Sequence, residues 1–238
     1  MALDIEQYCI TKTFPKLYYI PDFITEEEEK SLCEQVYAAP IPKWTQLSKR
    51  RLQNWGGLPH AKGMIPETLP KWLSTYTDKL GSLGIFGNHR PNHVLVNEYT
   101  PGQGIMPHVD GPLFYPVVAT INLKSHCVLD FYHPVDTDAP VASSRESEQE
   151  YAKSSAKRHV MSLLVQRRSA YVFEQDMYTK YLHGISERKV DTLDNKVLNL
   201  DSCSNVSIDS ALKRETRVSL TVRFVPKVLN VKLKFGRK

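Results

Sequence analysis

His108 and Asp110 stand two apart in the stretch GIMPHVDGP, between a glycine-rich turn and a Gly-Pro break. This imidazole and this carboxylate could hold one metal, or they could be two ordinary polar residues in a loop. The chain has eight histidines, and a His-x-Asp pair also arises by chance. The pair points to a metal only if independent partners lie elsewhere. The best third ligand is His183, in YLHGI, after an apolar run and before a glycine turn.

Two histidines and one carboxylate leave three positions open on iron, enough for a bidentate 2-oxo acid and dioxygen. Some catalytic zinc sites also use three protein ligands. The segment RVSLTVR helps to choose. Period-two alternation puts Arg217, Ser219, Thr221 and Arg223 on one face and Val218, Leu220 and Val222 on the other. A solvent-facing edge strand has the same pattern. Geometry offers a second reading, since six residues at ~3.3 Å place the arginine backbones about 20 Å apart, and inward-leaning guanidiniums about 8 Å apart. That is the span of a short dicarboxylate, and arginine's planar, permanently charged fork matches a carboxylate. Two inward arginines would clamp a C5 dicarboxylic acid at both ends, which favours iron, because a zinc hydrolase has no use for such a ligand. Asn97 and Tyr99, in LVNEYTPG, share a strand face with His93 and Leu95 and would add hydrogen bonds to a bound oxo acid; a satisfied polar pair at a strand end is the alternative. His60, His89, His93, His126, His133 and His159 lack this joint context and read as structural or exposed.

These side chains need strands to hold them. From residue 93 the chain runs through HVLVNEY, VVATINL, HCVLDFY, VMSLLVQ, SAYVFE and RVSLTVRFV, separated by Gly, Pro and polar clusters, as in an antiparallel sandwich or barrel. Before it, FITEEEEKSLCEQVYAAP predicts a helix capped by Thr25, with Glu28 at the capping-box position and Pro40 as its stop. A second helix is expected over 69–82, where Leu69, Trp72, Leu73, Tyr76 and Leu80 repeat at helical spacing, a stripe read as core packing. Residues 136–158 and 186–215 are polar and serine-rich and read as long mobile surface loops. The expected class is mainly β with flanking helices (α+β).

At 238 residues the chain suits one large domain with a sizeable core. The start lacks a basic segment followed by an apolar one, so no secretory signal is expected, and no run approaches 18 apolar residues, so no membrane partner is expected either. Four widely spaced cysteines, Cys9, Cys33, Cys127 and Cys203, predict free thiols in a reducing compartment, cytoplasm and nucleus, and exclude a zinc ribbon. The net charge of +5 is unevenly placed: KVLNVKLKFGRK ends the chain with five basic groups and no acid, and Lys49-Arg50-Arg51 stands between Trp44 and Trp55. Such patches meet phosphates, although a solvated surface gives the same pattern.

Taken in order, Asn97-x-Tyr99, His108-x-Asp110, His183 and Arg217-x5-Arg223 resemble the AlkB family of Fe(II)- and 2-oxoglutarate-dependent dioxygenases. The flanks KWTQLSKRRLQNWGGLPH, NHVLVNEYTPGQGIMPHVDGPLFYP, LHGI and RVSLTVR carry the likeness, which runs from about residue 14 to residue 230. It implies a double-stranded β-helix (jelly-roll) core over 93–226, an N-terminal helical extension over 14–92 and a basic tail over 227–238, together one domain, 1–238. His108, Asp110 and His183 would ligate Fe(II). Arg217 would take the distal carboxylate of 2-oxoglutarate; Arg223, Asn97 and Tyr99 would hold its other end, and Ser219 would line the pocket. Pro42 to Gly57 would form a nucleotide-recognition lid, with Trp44, Arg51, Gln53 and Trp55 against a base. Dioxygen is the co-substrate, and a monomer acting on methylated RNA or single-stranded DNA is expected, with a protein side-chain demethylase or hydroxylase and a non-catalytic nucleic-acid-binding module as alternatives. Family members that repair alkylated bases often carry a second acid two positions after the metal-binding Asp; here that position is Pro112, so the likeness implies no base-contacting carboxylate.

Overall fold

The computed structural model describes residues 3–11, 15–134 and 156–230. Residues 136–155 of the first polar stretch and 231–238 of the basic tail lie outside the described residues. The N-terminal part contains β1 (Leu17–Ile20), α1 (Glu26–Ala38), the hairpin β2 (Trp44–Leu47) and β3 (Arg50–Trp55), the hairpin β4 (Gly57–His60) and β5 (Gly63–Pro66), and α2 (Lys71–Gly81). Then come β6 (His93–Tyr99), β7 (Ile105–His108), β8 (Val117–Leu123), β9 (Cys127–Tyr132), β10 (His159–Val165), β11 (Ala170–Glu174), β12 (Leu182–Ile185), β13 (Val190–Thr192), β14 (Ala211–Lys213) and β15 (Arg217–Arg223).

Local chemistry sets both helices. Thr25 Oγ1 accepts the Glu28 N–H at 3.2 Å while the Glu28 carboxylate accepts the Thr25 N–H at 2.8 Å, the reciprocal box expected from TEEE. α2 buries Leu73, Tyr76 and Leu80 of the expected stripe together with Thr77, while Trp72 is half-buried and Leu69 lies just before the helix.

The strands form a seven-stranded sheet ordered β1-β11-β8-β15-β6-β3-β2 and a four-stranded sheet ordered β10-β9-β12-β7. From β6 onward the chain passes between them, with β6, β8, β11 and β15 in the large sheet and β7, β9, β10 and β12 in the small one. These eight antiparallel strands are the jelly roll. β15 lies between β6 and β8 and all seven of its residues are buried, so it is no edge strand. Its apolar face, Val218, Leu220 and Val222, packs in one core with Leu32 and Val36 of α1 and Leu73 and Leu80 of α2. Its polar face looks into the space between the sheets, where Leu129, Phe131, Leu163, Tyr171 and Phe173 build a second core.

The stretch 186–215 is not an irregular surface loop. It pairs β13 with β14 and packs Leu193 and Val197 against Val128 and Leu164 of the small sheet. Arg214 forks onto Asp191 at 2.7 Å through both Nε and Nη2, and the pair is fully buried. Its polar composition concealed the few apolar residues and the ion pair that anchor it. Among the described residues no helix is long and apolar enough to cross a membrane.

Candidate metal centre

His108 ends β7 and His183 lies on β12, and the two are directly paired across the antiparallel ladder of the small sheet. Their rings stand 4.4 Å apart between centroids. Gly184 permits this close approach, since a Cβ there would meet Ile105 O and Pro107 N at 2.9 Å. Asp110 follows β7 in a turn that continues through Gly111 at φ +85°, a conformation glycine adopts without strain. The Tyr178 hydroxyl donates to Gly111 O at 2.7 Å and holds that turn from the helical turn Asp176–Thr179.

These elements bring three ligand atoms together. Asp110 Oδ1 is 3.8 Å from Nε2 of both His108 and His183, and one donor atom from each residue lies within 4.8 Å of the others. His108 Nδ1 is 2.9 Å from Met106 O, so the Nδ1–H tautomer donates there and leaves the Nε2 lone pair toward the site. Burial pushes His108 below its ordinary 6.5, and it pushes His183 down to about 3 against the pull of Asp110. Burial alone raises the Asp110 carboxyl, but Arg223, His183 and His108 outweigh it and hold it below its ordinary range. Two neutral imidazoles and one ionised carboxylate are the protonation states a divalent metal requires, so the donor set fits iron.

The two arginines are not a symmetric clamp. Arg223 Nε donates to Asp110 Oδ2 at 2.9 Å, and its guanidinium lies 4.7 Å over Phe114. Arg217 donates through Nη2 to Asn122 Oδ1 and lies 5.8 Å from the Tyr99 ring, while its buried Nε has no partner among the described residues. It is 3% exposed, and no described carboxylate lies within ion-pair distance. A buried cation without an anion is costly, and a carboxylate ligand would relieve that cost. Ser219 and Asn97 pair across β15 and β6, and Arg217 pairs with Tyr99, so all five expected co-substrate residues fall on one face of the large sheet.

The four expected lid residues do not join them. Arg51, Gln53 and Trp55 occupy the opposite face of β3, and Trp44 pairs with Gln53. Arg51 forks onto Glu98, Gln53 donates to Val36 O and accepts from Trp55 Nε1, and Trp55 meets Trp72 edge-on. The face shared with Asn97 carries Arg50, Leu52 and Asn54 instead. Alternation in RRLQNW separates these two sets, but only the pairing with β6 tells which one looks inward. Sequence reasoning also missed Asn122, the partner of Arg217, and Tyr178; neither stands in a motif.

Residues 40–223 match the family model described as the 2OG-Fe(II) oxygenase superfamily. A protein of Danio rerio described as probable RNA/DNA demethylase ALKBH6 is 51% identical over 237 residues, which span 100% of this chain and 97% of that protein. The tRNA (carboxymethyluridine(34)-5-O)-methyltransferase ALKBH8 of Macaca fascicularis is 28% identical over 231 residues, 89% of this chain and 30% of that longer protein. Among solved structures, OsALKBH1 superposes with a TM-score of 0.54 at 14% identity, over 90% of this chain and 100% of that one, a likeness of fold. The chain therefore belongs to the 2OG-Fe(II) oxygenase superfamily and is an AlkB-like dioxygenase that uses Fe(II), 2-oxoglutarate and dioxygen.

Proposed function

We propose that this dioxygenase demethylates methylated nucleic acid, RNA or single-stranded DNA, through one catalytic domain spanning the chain. The observation that carries the chemistry is the pairing of a His108–Asp110–His183 donor cluster with the buried Arg217 on the facing sheet, which meets no carboxylate among the described residues. The relatives that span the domain, one described as a probable RNA/DNA demethylase and one as a tRNA-modifying enzyme, support the substrate class.

Bound iron with 2-oxoglutarate and dioxygen supplies the oxidation of a methyl C–H, with succinate and carbon dioxide released and an N-linked hydroxymethyl group lost as formaldehyde. The chain's residues position and neutralise. His108, Asp110 and His183 would hold the metal. Arg223 keeps Asp110 ionised and orients it by occupying Oδ2, which leaves Oδ1 toward the imidazoles. Arg217 would bind the distal carboxylate of the oxo acid, and Asn97, Tyr99 and Ser219, on the same face, would line its pocket. Burial pushes the Tyr99 phenol up to about 12, so it remains a neutral hydrogen-bond donor. The His108 side chain is 35% exposed while that of Asp110 is 4% exposed, so the site opens to solvent on the His108 side, where a flipped or unpaired base can enter.

The test is turnover of the full chain with Fe(II), ascorbate, 2-oxoglutarate and a panel of methylated single-stranded RNA and DNA oligonucleotides. Loss of the methyl mark by mass spectrometry, matched by succinate and formaldehyde, is expected. Succinate without a demethylated product from any oligonucleotide counts against the substrate class and leaves the cofactor chemistry standing.

A further inference from the structure

Three consecutive basic residues at the β2–β3 turn are used in three different ways. Lys49 Nζ pairs with Glu187 at 2.8 Å, on the segment after β12. Arg51 holds Glu98 at 2.6 and 3.0 Å and lies 4.1 Å over the Trp44 ring, on the face of β3 away from the site. Arg50 alone stands on the site's face. Its Nε donates to Asn97 Oδ1 at 3.2 Å, and among the described residues no carboxylate lies within ion-pair distance of it. It is half-buried and close enough to His108 to be one of the charges that lower that ring's pKa. The turn that carries it is braced, since Gln46 Nε2 donates to both Leu47 O and Arg50 O.

With Nε used, Arg50 keeps two terminal nitrogens, the donors that fork onto an oxyanion. Charge counting narrows the source of that oxyanion. A bound oxo acid would bring two carboxylates, which Arg217 and the metal centre would answer. Arg50, half-buried on the same face, is then left to face a charge from another molecule. We propose that Arg50 binds a backbone phosphodiester of the strand being modified and so fixes the target nucleotide against the metal centre. The proposal rests on the nucleic-acid reading above. Phosphate contacts of this kind set register without reading sequence, which suits a site lacking an acidic residue two positions after Asp110.

The experiment measures binding of a fluorescent single-stranded 15-mer to the full chain by anisotropy, for wild type, Arg50→Gln and Arg50→Lys. Strands with one neutral methylphosphonate linkage, moved along the sequence from the modified base, serve as second probes. Arg50→Gln is expected to weaken the ordinary strand about tenfold and to lower the slope of log affinity against log salt by about one. Arg50→Lys should lose less. One neutral linkage should weaken wild type about tenfold and leave Arg50→Gln unchanged, because the contact is already gone. If every neutral linkage weakens wild type and Arg50→Gln equally, Arg50 touches no phosphate and the proposal fails. A fall in 2-oxoglutarate affinity of Arg50→Gln, measured calorimetrically with strand binding intact, overturns it in favour of a co-substrate role through Asn97. If wild type shows no salt-dependent affinity for any strand, the nucleic-acid reading itself fails; an intact wild-type affinity unmoved by Arg50→Gln sinks only the role of Arg50.

Discussion

Two aspartate–arginine pairs in this molecule are almost equally buried, and they are completed in opposite ways. Asp191 and Arg214 are 0% and 4% exposed at the side chain, Asp110 and Arg223 are 4% and 8%. Arg214 occupies both Asp191 oxygens at 2.7 Å, Arg188 Nε adds a contact at 2.8 Å, and Arg214 Nη1 donates to Ser186 O at 2.8 Å. That pair is closed and its work is to hold β13 and β14 in place. Arg223 takes only Oδ2 of Asp110, while Oδ1 faces two neutral imidazoles and, six residues along β15, Arg217 has no carboxylate within ion-pair distance among the described residues. This pair is open. Burial and charge are common to both, so neither marks the functional pair; the unfilled bonding capacity does.

The sharpest way to break this comparison is to remove Asp110. In Asp110→Ala, iron-dependent succinate formation should fall to background and calorimetric binding of Mn(II) should be lost; retention of either would remove Asp110 from the metal centre. Asp191→Ala should act on stability, costing about 3–5 kcal/mol in urea unfolding because Arg214 is left buried and unpaired. Replacing both partners by apolar residues of similar volume should recover most of that loss, and failure to recover it would show that the pair contributes more than mutual compensation. Arg217→Met should separate the two kinds of burial again. Affinity of the metal-loaded protein for 2-oxoglutarate should fall by about 2 kcal/mol or more, roughly 30-fold, while urea stability of the ligand-free protein stays level or rises. A stability loss with unchanged affinity would place Arg217 among the structural cations.

The smallest effect belongs to a third pair, Arg51–Glu98, whose arginine is 36% exposed. Burial alone raises the Glu98 carboxyl, but hydrogen bonds from Arg51 and Tyr37 outweigh it and hold it below its ordinary 4.5. A depressed carboxyl contributes stability above its unfolded pKa and loses it as pH falls through the folded one. Glu98→Gln should therefore cost up to about 1 kcal/mol at pH 7 in urea unfolding. The gap to wild type should close as pH falls below the ordinary carboxylate range and through the lower folded pKa of Glu98. A gap that widens on acidification would reverse the sign.

Much of this was legible before any fold was known. The Thr25 capping box, the α2 stripe and the alternation in RVSLTVR depend on neighbours within a few residues, and each formed as local chemistry dictates. His108, Asp110 and His183 were legible because metal ligands must be particular residue types. The sequence could not say which face of an alternating strand looks inward. The pairing of β3 with β6 decided that, turning Arg50 toward the site and Arg51, Gln53 and Trp55 away from it. Nor could it separate the open pair from the closed one, because a partner is defined by proximity, not by order: Asp110 reaches Arg223 across 113 positions, Arg217 meets Asn122 across 95, and the polar stretch 186–215 becomes fixed only where Asp191 meets Arg214. Residue type and spacing determine what a side chain can bond to. The packing of two sheets decides whether that bond is already made, and a ligand is left to the group for which it is not.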